Sequence, residues 1–468
     1  MKRYETIHEQ AKQFIDRLET IDRERVNGPV IQPVDERSLA RMDALGIPTD
    51  GRALEDVVND TIDHILGPTV PANHPHFFGF IPGPAERVAW LGDVMTNAYN
   101  PHAGGFTMAE TALHAEQIVL DFLAETIGYS TDTYGGLFVS GGSMANLTAL
   151  VAARDAKLEE DALHRGTAYV SDQTHSSVAK AFKIAGIPTR NVRRVPSDPD
   201  TFALDVDALE QMIQRDANDG FRPFAVVGTV GTTNTGTIDP IESIARVAET
   251  YDLWFHIDGA YGGTVLLSEP YRHLARGVDR SDSFSWDGHK WLYQTYGSAM
   301  VFVKDRTHLF NSYETKPEYL RDVESTGDKW NTWDVGIEMT RPARGVKLWM
   351  TLQALGTKTL SKRITTAITN AEALERMIDD LPMIERISPA SLGIINFRFI
   401  DDALDERALD AWNERIVQTI NDRGDAGLYT TMLNGKRVIR LATIHPDVTP
   451  EELGTILRTL TRIAEQTK

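Results

Sequence analysis

The chain of 468 residues contains no cysteine. This absence excludes disulfide bridges, thiolate nucleophiles, cysteine-ligated zinc and iron–sulfur clusters. Basic residues are also few, since 48 Lys and Arg stand against 67 Asp and Glu, which gives a formal net charge of −19. A negative surface disfavours nucleic acids and anionic membranes. We therefore expect neither as a partner, and we expect chemistry that uses groups other than sulfur.

Long apolar runs are missing as well. No window approaches about 18 uninterrupted apolar residues, the length that a membrane-spanning helix needs, so we expect no such helix. Residues 1–16 have the pattern of a polar helix and lack the apolar segment of a signal peptide, which favours a cytoplasmic protein. A hydrophobic fraction of 41% is typical of a chain that buries a core.

The sequence divides into three parts by composition. Residues 1–70 contain polar helical segments broken by proline and glycine, and we expect an arm that packs on the rest of the chain or on a second subunit. Residues 71–355 alternate short apolar runs with helical stretches, and residues 356–468 follow an α+β order. We therefore predict an N-terminal helical arm, a large α/β domain and a small C-terminal α+β domain.

Five apolar runs in the large domain have the length of a strand. They show no polar alternation, which is typical of strands buried on both faces of a mostly parallel sheet. Helical spacing between two of them indicates a β-α-β unit over residues 224–257. The five runs are residues 136–139, 168–171, 224–230, 253–257 and 299–303.

The strongest local signal is Lys290, within SFSWDGHKW at residues 283–291. Aromatic neighbours favour partial burial, and burial lowers the pKa of a lysine, which frees the amine to attack a carbonyl. A single lysine of this kind is more often an ordinary surface residue. It therefore needs partners before it indicates a site.

Asp258 is the first such partner, at the end of the apolar run LWFHID and ahead of GAYGG. Ligand contacts in α/β sheets lie at this end of a strand. A buried carboxylate needs a cation, and the protonated ring nitrogen of a cofactor would serve. Asp258 therefore predicts a ligand with a positively charged group.

Two further segments complete the pattern. The sequence SGGSMAN (140–146) leads through glycines into a helix, so Gly142 and Ser143 offer a place for phosphate. It is neither a Walker loop nor a dinucleotide fingerprint. His175, within SDQTHSS (171–177), follows another apolar run and is placed to stack on a flat ring. A reactive lysine, a carboxylate, a phosphate cradle and a ring contact together describe a site for pyridoxal 5'-phosphate (PLP).

Six motifs occur in order along nearly the whole chain: HPHFFGF (74–80), SGGSMANLTAL (140–150), SDQTHSSV (171–178), GTTNTGTID (231–239), HIDGAYGG (256–263) and DSFSWDGHKW (282–291). With them, the chain resembles the group II PLP-dependent amino-acid decarboxylases, the family of aromatic-amino-acid, glutamate and related decarboxylases. The resemblance implies PLP fold type I, the aspartate aminotransferase-like architecture with a mostly parallel central sheet.

The resemblance also implies roles for individual residues. Lys290 is then the Schiff-base lysine, Asp258 the partner of the pyridinium nitrogen and His175 the residue that stacks on the ring, and these three are the expected catalytic residues. Gly142, Ser143 and His289 are expected around the phosphate, and Thr233 and Ala260 along the cofactor pocket. No metal is expected.

The implied reaction is decarboxylation of an L-amino acid to the amine and carbon dioxide, with aromatic substrates favoured. The cofactor acts as the electron sink. The family also implies a homodimer with its active site at the subunit interface. For the substrate pocket we name Phe78, Phe80, Trp330 and Thr332.

Three positions depart from the family pattern. Asp287 stands where many members have asparagine, and an anion beside phosphate is unfavourable unless it faces a donor. Phe80 replaces a tyrosine that is common in aromatic decarboxylases. Residues 328–335, aligned with the mobile loop, lack the tyrosine that usually supplies a proton, and Tyr319 matches a different position. The proton donor is therefore unassigned, with His175 as the fallback.

Several alternatives stay open. Without the loop tyrosine, reaction with oxygen can give an aldehyde, so an aldehyde synthase is the main alternative, and acidic or diamino acids are alternative substrates. A transaminase and a catalytically silent binding protein fit the motifs less well. A metal site made of His256, Asp258 and His289 leaves Lys290 unexplained.

Overall fold

The structure is a computed structural model that describes residues 2–31, 36–81, 83–315, 318 and 330–468. The described chain forms two compact units. The first unit comprises residues up to 80 together with 398–441 and 447–468, and the second comprises residues 81–397 and 442–446. The division of the sequence at about residues 70 and 356 stays a prediction.

Helices and strands are distributed over the whole described chain. The helices are α1 (Lys2–Asn27), α2 (Glu36–Leu45), α3 (Leu54–Asp60), α4 (Arg87–Tyr99), α5 (Glu110–Ile127), α6 (Gly142–Lys157), α7 (Ser176–Ile184), α8 (Val206–Asn218), α9 (Ile241–Thr250), α10 (Thr307–Tyr313), α11 (Val346–Asp379), α12 (Glu406–Arg423) and α13 (Pro450–Thr467). The strands are β1 (Gly135–Val139), β2 (Gly166–Ser171), β3 (Val192–Val195), β4 (Arg222–Thr229), β5 (Trp254–Asp258), β6 (Ser283–Trp286), β7 (Ala299–Val303), β8 (Ile384–Ser391), β9 (Ile394–Phe399), β10 (Tyr429–Leu433) and β11 (Lys436–Ala442). Across the described ranges, we find no helix with the length and apolar character required to cross a bilayer.

The large sheet of the second unit has seven strands in the order β1-β7-β6-β5-β4-β2-β3. β7 runs antiparallel to both of its neighbours, and the remaining pairs are parallel. A smaller sheet near the C-terminus has four strands in the order β10-β11-β9-β8. The α/β class with a mostly parallel central sheet, predicted from the sequence, is therefore confirmed.

Strands β1, β2, β4, β5 and β7 of the large sheet are buried on both faces over most or all of their length, and this explains why they lack polar alternation. The edge strand β3 is largely accessible. On β7, Met300 and Phe302 belong to a core cluster that includes residues of α5, α8 and α9. The alternate residues Val301 and Val303 belong to a second cluster with residues of α6 and α7. Since side chains alternate between the faces of a strand, an apolar residue is needed at every position.

The long helix α11 is interrupted at Gly356, where φ is 70° and ψ is 159°. A residue with a side chain adopts this conformation with difficulty, so glycine allows two helical segments to meet here. The last helix, α13, begins more regularly. Its Thr449 and Glu452 form a reciprocal capping box, and Pro450 occupies the first turn, where no backbone donor is needed.

A buried ion pair in the second unit ties α5 to the segment ahead of α11. Arg341 and Glu116 are 3% and 2% exposed, and two guanidinium nitrogens of Arg341 donate to the Glu116 carboxylate at 3.2 and 2.6 Å. Arg341 Nε also donates to the Thr332 hydroxyl at 2.9 Å, and Gly345 N donates to Glu116 at 2.9 Å. The pair therefore holds residues 332–345 in place.

Replacing Arg341 with methionine should lower the free energy of unfolding by about 3–5 kcal/mol, because Glu116 keeps a buried charge without its cation. Denaturant titration measures this change. The control is Arg280→Met, which breaks a pair with the mostly exposed Glu249 and should cost at most about 1 kcal/mol. Equal losses in both variants would contradict the predicted role of the buried pair.

Candidate active site

Four loops meet at one edge of the large sheet. Strands β1, β2, β5 and β6 point the same way, so their carboxyl ends lie together, where α/β sheets bind ligands. Gly142 follows β1, His175 follows β2, Asp258 ends β5 and Lys290 follows β6. The topology therefore brings the main predicted site residues to the same edge.

Asp258 is 5% exposed, and neutral donors surround its carboxylate. Asn146 Nδ2 donates to Oδ2 at 3.1 Å, and the backbone N–H of Ala260 donates to Oδ1 at 3.1 Å. The Ser285 hydroxyl lies 3.4 Å from Oδ1. These donors orient the carboxylate without neutralising it, so the site is suited to a ligand that carries a positive charge.

Asn146 links Asp258 to two histidines. Its amide nitrogen also donates to the Ser177 hydroxyl at 3.1 Å, and its oxygen accepts from His256 Nε2 at 3.0 Å. The other ring nitrogen of His256 accepts from the Ser283 hydroxyl at 2.8 Å. Since the amide oxygen of Asn146 can only accept, Nε2 of His256 carries a proton. Burial lowers the pKa of His256, so the ring is neutral and Nδ1 is the accepting nitrogen. Both nitrogens of His256 are thus engaged, which argues against the metal site considered above.

Burial lowers the pKa of His256 to about 4, against the attraction of Asp258. The unfolded chain binds this proton near pH 6.5 and the folded chain near pH 4. Acidification across this range should therefore lower the free energy of unfolding, by about 3 kcal/mol.

His256→Gln should show a weaker fall in stability across the same range, measured by denaturation at several pH values. Asp239, whose pKa is raised by burial to about 6, changes stability in the opposite direction, and the comparison of two proteins cancels its effect. The same acid sensitivity in both proteins would refute the prediction.

His175 is the N-cap residue of α7, and its side chain is exposed. The backbone N–H of Ser177 donates to His175 Nδ1 at 3.3 Å, and the Ser177 hydroxyl lies 2.8 Å from the same atom. Because a backbone N–H can only donate, Nδ1 accepts, and the proton of the neutral ring lies on Nε2. A single hydrogen-bond chain through Ser177 and Asn146 therefore connects His175 to Asp258.

Lys290 lies between two buried aromatic residues, Trp286 and Trp291, yet its side chain is 27% exposed. Its amine lies 3.1 Å from Asp287 Oδ2. The buried neighbours fix the backbone, and the amine reaches the solvent-accessible edge of the sheet. Such an amine is held by a rigid segment and remains open to a carbonyl compound.

The turn after β1 forms a close cradle at the start of α6. A Cβ atom on Gly142 would lie 2.9 Å from both Asp287 carboxylate oxygens and 3.2 Å from the Cβ of Ala260. One on Gly141 would lie 3.6 Å from His289 Cε1. Because these glycines carry no side chain, the start of α6 lies close to His289 and Asp287. A helix N-terminus offers backbone N–H groups that suit phosphate.

His289 donates from Nδ1 to the Ser298 carbonyl at 2.8 Å, so its Nε2 is the nitrogen that is free to face a ligand. Burial lowers the pKa of His289, against the attraction of Asp287. Ser143 is exposed in the first turn of α6, and Thr233 is exposed in the turn after β4. The structure thus groups Gly142, Ala260 and His289, and it places Thr233 on a separate turn.

The four residues named for a substrate pocket differ in their surroundings. In the first unit, Phe78 is buried and Phe80 is 58% exposed. In the second unit, Trp330 packs edge-on against Phe310 with ring centroids 6.0 Å apart. Thr332 is buried, and its hydroxyl donates to the Ala103 carbonyl at 2.8 Å. Tyr319 and residues 328–329 lie outside the described residues.

Sequence reasoning missed Asn146, Ser177 and His256 as parts of this site. All three lie inside motifs that were recognised, two or three residues from a predicted site residue. Their positions in the sequence do not reveal that they are in contact, because the hydrogen bonds join residues of α6, α7 and β5, which are far apart along the chain. In the part of the chain that the structure describes, no three metal-ligating side chains converge on one point.

An amine, a buried carboxylate, an imidazole and a glycine-lined helix N-terminus fit the aldehyde, ring nitrogen, ring face and phosphate of PLP. Together with the mostly parallel sheet, they define a PLP-dependent enzyme. The chain belongs to the pyridoxal-dependent decarboxylase family, because the conserved domain of that family matches residues 37–400.

The relatives and a solved structure agree with this class. The chain is 34% identical over 440 residues to aromatic-L-amino-acid decarboxylase of Bacillus atrophaeus, covering 94% of this chain and 91% of that protein. It is 29% identical over 426 residues to phenylacetaldehyde synthase of Arabidopsis thaliana, covering 88% and 86%. A crystal structure of Oryza sativa TDC with PLP and tryptamine matches with a TM-score of 0.92 at 27% identity, covering 99% and 98%.

These findings confirm the family, fold and cofactor predicted from the sequence. The protein is a PLP-dependent amino-acid decarboxylase.

Proposed function

We propose that the protein decarboxylates an aromatic L-amino acid to the corresponding amine and carbon dioxide. The observation that most supports this substrate class is the 34% identity, over 94% of the chain, to a protein named for aromatic L-amino acids. The exposed aromatic side chain of Phe80, at the end of the HPHFFGF motif, gives further support.

Within this proposal, Lys290 binds the cofactor through its amine, and Asp258 keeps a proton on the ring nitrogen. When bound, PLP supplies an electron sink for the bond that breaks as carbon dioxide leaves. Asn146 and the N–H of Ala260 hold the Asp258 carboxylate in its orientation. Gly142, Ser143 and His289 hold the phosphate, and Thr233 and Ala260 line the pocket.

His175 is the proton donor that we propose. Its Nδ1 accepts hydrogen bonds from Ser177, so the neutral ring presents an N–H at Nε2. The exposed position of the ring lets it stack on the cofactor and reach the reacting carbon. Thr332 is less suitable, because its hydroxyl is buried and already bonds to Ala103.

Aromatic side chains support the preferred substrate class in each unit separately. In the first unit, the ring centroids of Phe80 and Tyr429 lie 4.5 Å apart. The Phe80 backbone has a positive φ of 52°, and its carbonyl accepts a hydrogen bond from Arg440 at 3.2 Å. In the second unit, Trp330 presents an indole next to Phe310. Pocket roles for Phe78, Phe80, Trp330 and Thr332 stay predictions.

A panel of amino acids tests the substrate class. L-tryptophan, L-tyrosine and L-phenylalanine should release carbon dioxide and equal amounts of amine, whereas L-glutamate and L-2,4-diaminobutyrate should react far more slowly. A preference for either of the latter two would refute the aromatic assignment. Exchange of amino groups with a keto acid, without carbon dioxide, would instead indicate a transaminase.

An aldehyde synthase is the second candidate, and two observations favour it. The described residues 330–335, in the segment that aligns with the mobile loop, contain no tyrosine. Phenylacetaldehyde synthase is also among the relatives. Oxygen consumption and hydrogen peroxide release in proportion to carbon dioxide would favour the aldehyde product, and amine formation without oxygen uptake would exclude it.

We also propose a homodimer with the active site at the subunit interface. On α4, Leu91, Met95 and Tyr99 are 44%, 46% and 87% exposed, and their spacing of four residues places them on one face of the helix. An apolar stripe of this kind favours burial against a partner. Sedimentation should give twice the chain mass of 52.1 kDa. Cytoplasmic localisation stays a prediction.

A further inference from the structure

Asp287 is a buried carboxylate in a place where the expected ligand is an anion. It is 1% exposed, and in the described structure its Oδ1 has no hydrogen-bond partner. Its two oxygens face the cradle of Gly142, at 2.9 Å from the position of an added Cβ atom. The phosphate of the cofactor would thus approach a negative charge.

In the structure, Lys290 balances this charge. Its ammonium group lies 3.1 Å from Asp287 Oδ2. Cofactor binding engages the Lys290 amine and brings phosphate to the Gly142 cradle, so Asp287 loses its cation and gains an anionic neighbour. A buried carboxylate left without a cation is strongly unfavourable. A positive charge must therefore come from another group.

His289 is the group in position to supply it. Its Nε2 lies 3.6 Å from Asp287 Oδ2, and its Nδ1 is already committed to Ser298. A proton from solvent on Nε2 would give an imidazolium between the carboxylate and the cradle. We propose that His289, beside Asp287, binds one more proton when PLP is bound than when the site is empty, so that the cofactor affinity of the wild type falls as the pH rises relative to that of a variant without the Asp287 carboxylate. This inference rests on the proposed function.

Other ionisable groups near the pair leave this conclusion intact. On its own segment, Lys290 faces Asp287 only until the cofactor engages it. The Tyr296 ring lies 5.7 Å from the His289 ring, and Lys347 of α11 acts on His289 as a cation. Lys347 keeps its own carboxylate, Asp93, at 3.1 Å. The Asp258 carboxylate accepts from Asn146 and from the backbone N–H of Ala260, and α6 brings Gly142 next to Asp287.

The test compares PLP binding by the wild-type full chain and Asp287→Asn, both freed of cofactor, from about pH 6 to about pH 9. The affinity of the wild type should fall relative to that of the variant by up to about tenfold per pH unit, because one additional proton is bound. Asp252→Asn is the control, since it removes the same charge from a side chain that is 93% exposed. Its pH dependence should match that of the wild type.

Pyridoxal, which lacks the phosphate, should reduce the difference between wild type and Asp287→Asn. The same pH dependence of PLP affinity in both proteins would overturn the proposal. If Asp287→Asn does not fold, proton uptake by the wild type on binding decides instead. Near pH 8, the protein should take up about one proton more when it binds PLP than when it binds pyridoxal. Equal uptake with both compounds would overturn the proposal. Absence of PLP binding by the wild type at every pH would contradict the proposed function itself.

Discussion

Lys290→Ala should yield a colourless protein that no longer releases carbon dioxide from amino acids. The wild type should be yellow, because a cofactor bound through the Lys290 amine absorbs visible light. Removing a positioned group of this kind typically costs about 10²–10⁴-fold in rate, and the loss of attachment should add to this. Absorption spectra of the purified proteins and carbon dioxide release check the two effects.

Lys290→Arg is the matched variant. It keeps a cation opposite Asp287, and therefore the charge balance of the site, but a guanidinium does not replace the amine as a nucleophile. It should be as inactive as Lys290→Ala and more stable to denaturation. An unchanged visible spectrum in either variant would show that another lysine binds the cofactor.

Asp258→Ala should keep part of its cofactor and lose about 10²–10³-fold in turnover, comparable to the removal of one preorganised charge partner. The carboxylate is the negative group that stabilises a protonated ring nitrogen, and without it the ring accepts electrons poorly. The measurement is the rate of carbon dioxide release at saturating PLP. Turnover near that of the wild type would count against the assigned role.

Asp239→Asn separates this effect from a general loss of structure. Asp239 is also a buried carboxylate of the second unit, and it accepts from the backbone N–H groups of Leu204 and Thr229 at 2.9 and 2.8 Å. Its replacement should lower stability while the folded protein keeps its cofactor spectrum. A loss of turnover as large as that expected for Asp258→Ala would show that the two residues act in the same way.

The five strands that the sequence predicted in the large sheet are buried and almost entirely apolar, whereas the buried strand β6 was missed because serines alternate along its sequence SFSW. All five apolar runs correspond to β1, β2, β4, β5 and β7, with ends that agree within two residues. β3 was missed because its sequence VRRV carries two arginines and lies at the edge of the sheet. The antiparallel direction of β7 was also not predicted, because the hydrophobic pattern of a strand indicates its burial and not the direction in which it runs.

The site was predictable where chemistry dictates the residue type. A lysine amine, a carboxylate at a strand end and glycines before a helix each have a local signature, and the structure brings Lys290, Asp258 and Gly142 to one edge of the sheet. Asn146 has no such signature. Its importance comes from simultaneous contacts with Asp258, Ser177 and His256, which only the folded chain creates.

Asp287 illustrates a different limit. The sequence identified it as a departure from the family pattern, but its surroundings decide what the departure means. The structure shows that the carboxylate faces Lys290 and His289 and that one of its oxygens has no hydrogen-bond partner in the described residues. The sequence alone indicates that aspartate at position 287 is unfavourable beside a phosphate. The structure adds the neighbouring groups from which a specific hypothesis about proton uptake follows.

The most direct test of the assigned site is to locate the cofactor on the chain. Borohydride reduction of the PLP-loaded protein should fix the cofactor on Lys290, and trypsin should then fail to cut after that residue. Mass spectrometry should find a labelled peptide of residues 281–304, which results from cleavage after Arg280 and after Lys304. A label on any other lysine, or no label on a protein that binds PLP, would contradict the account.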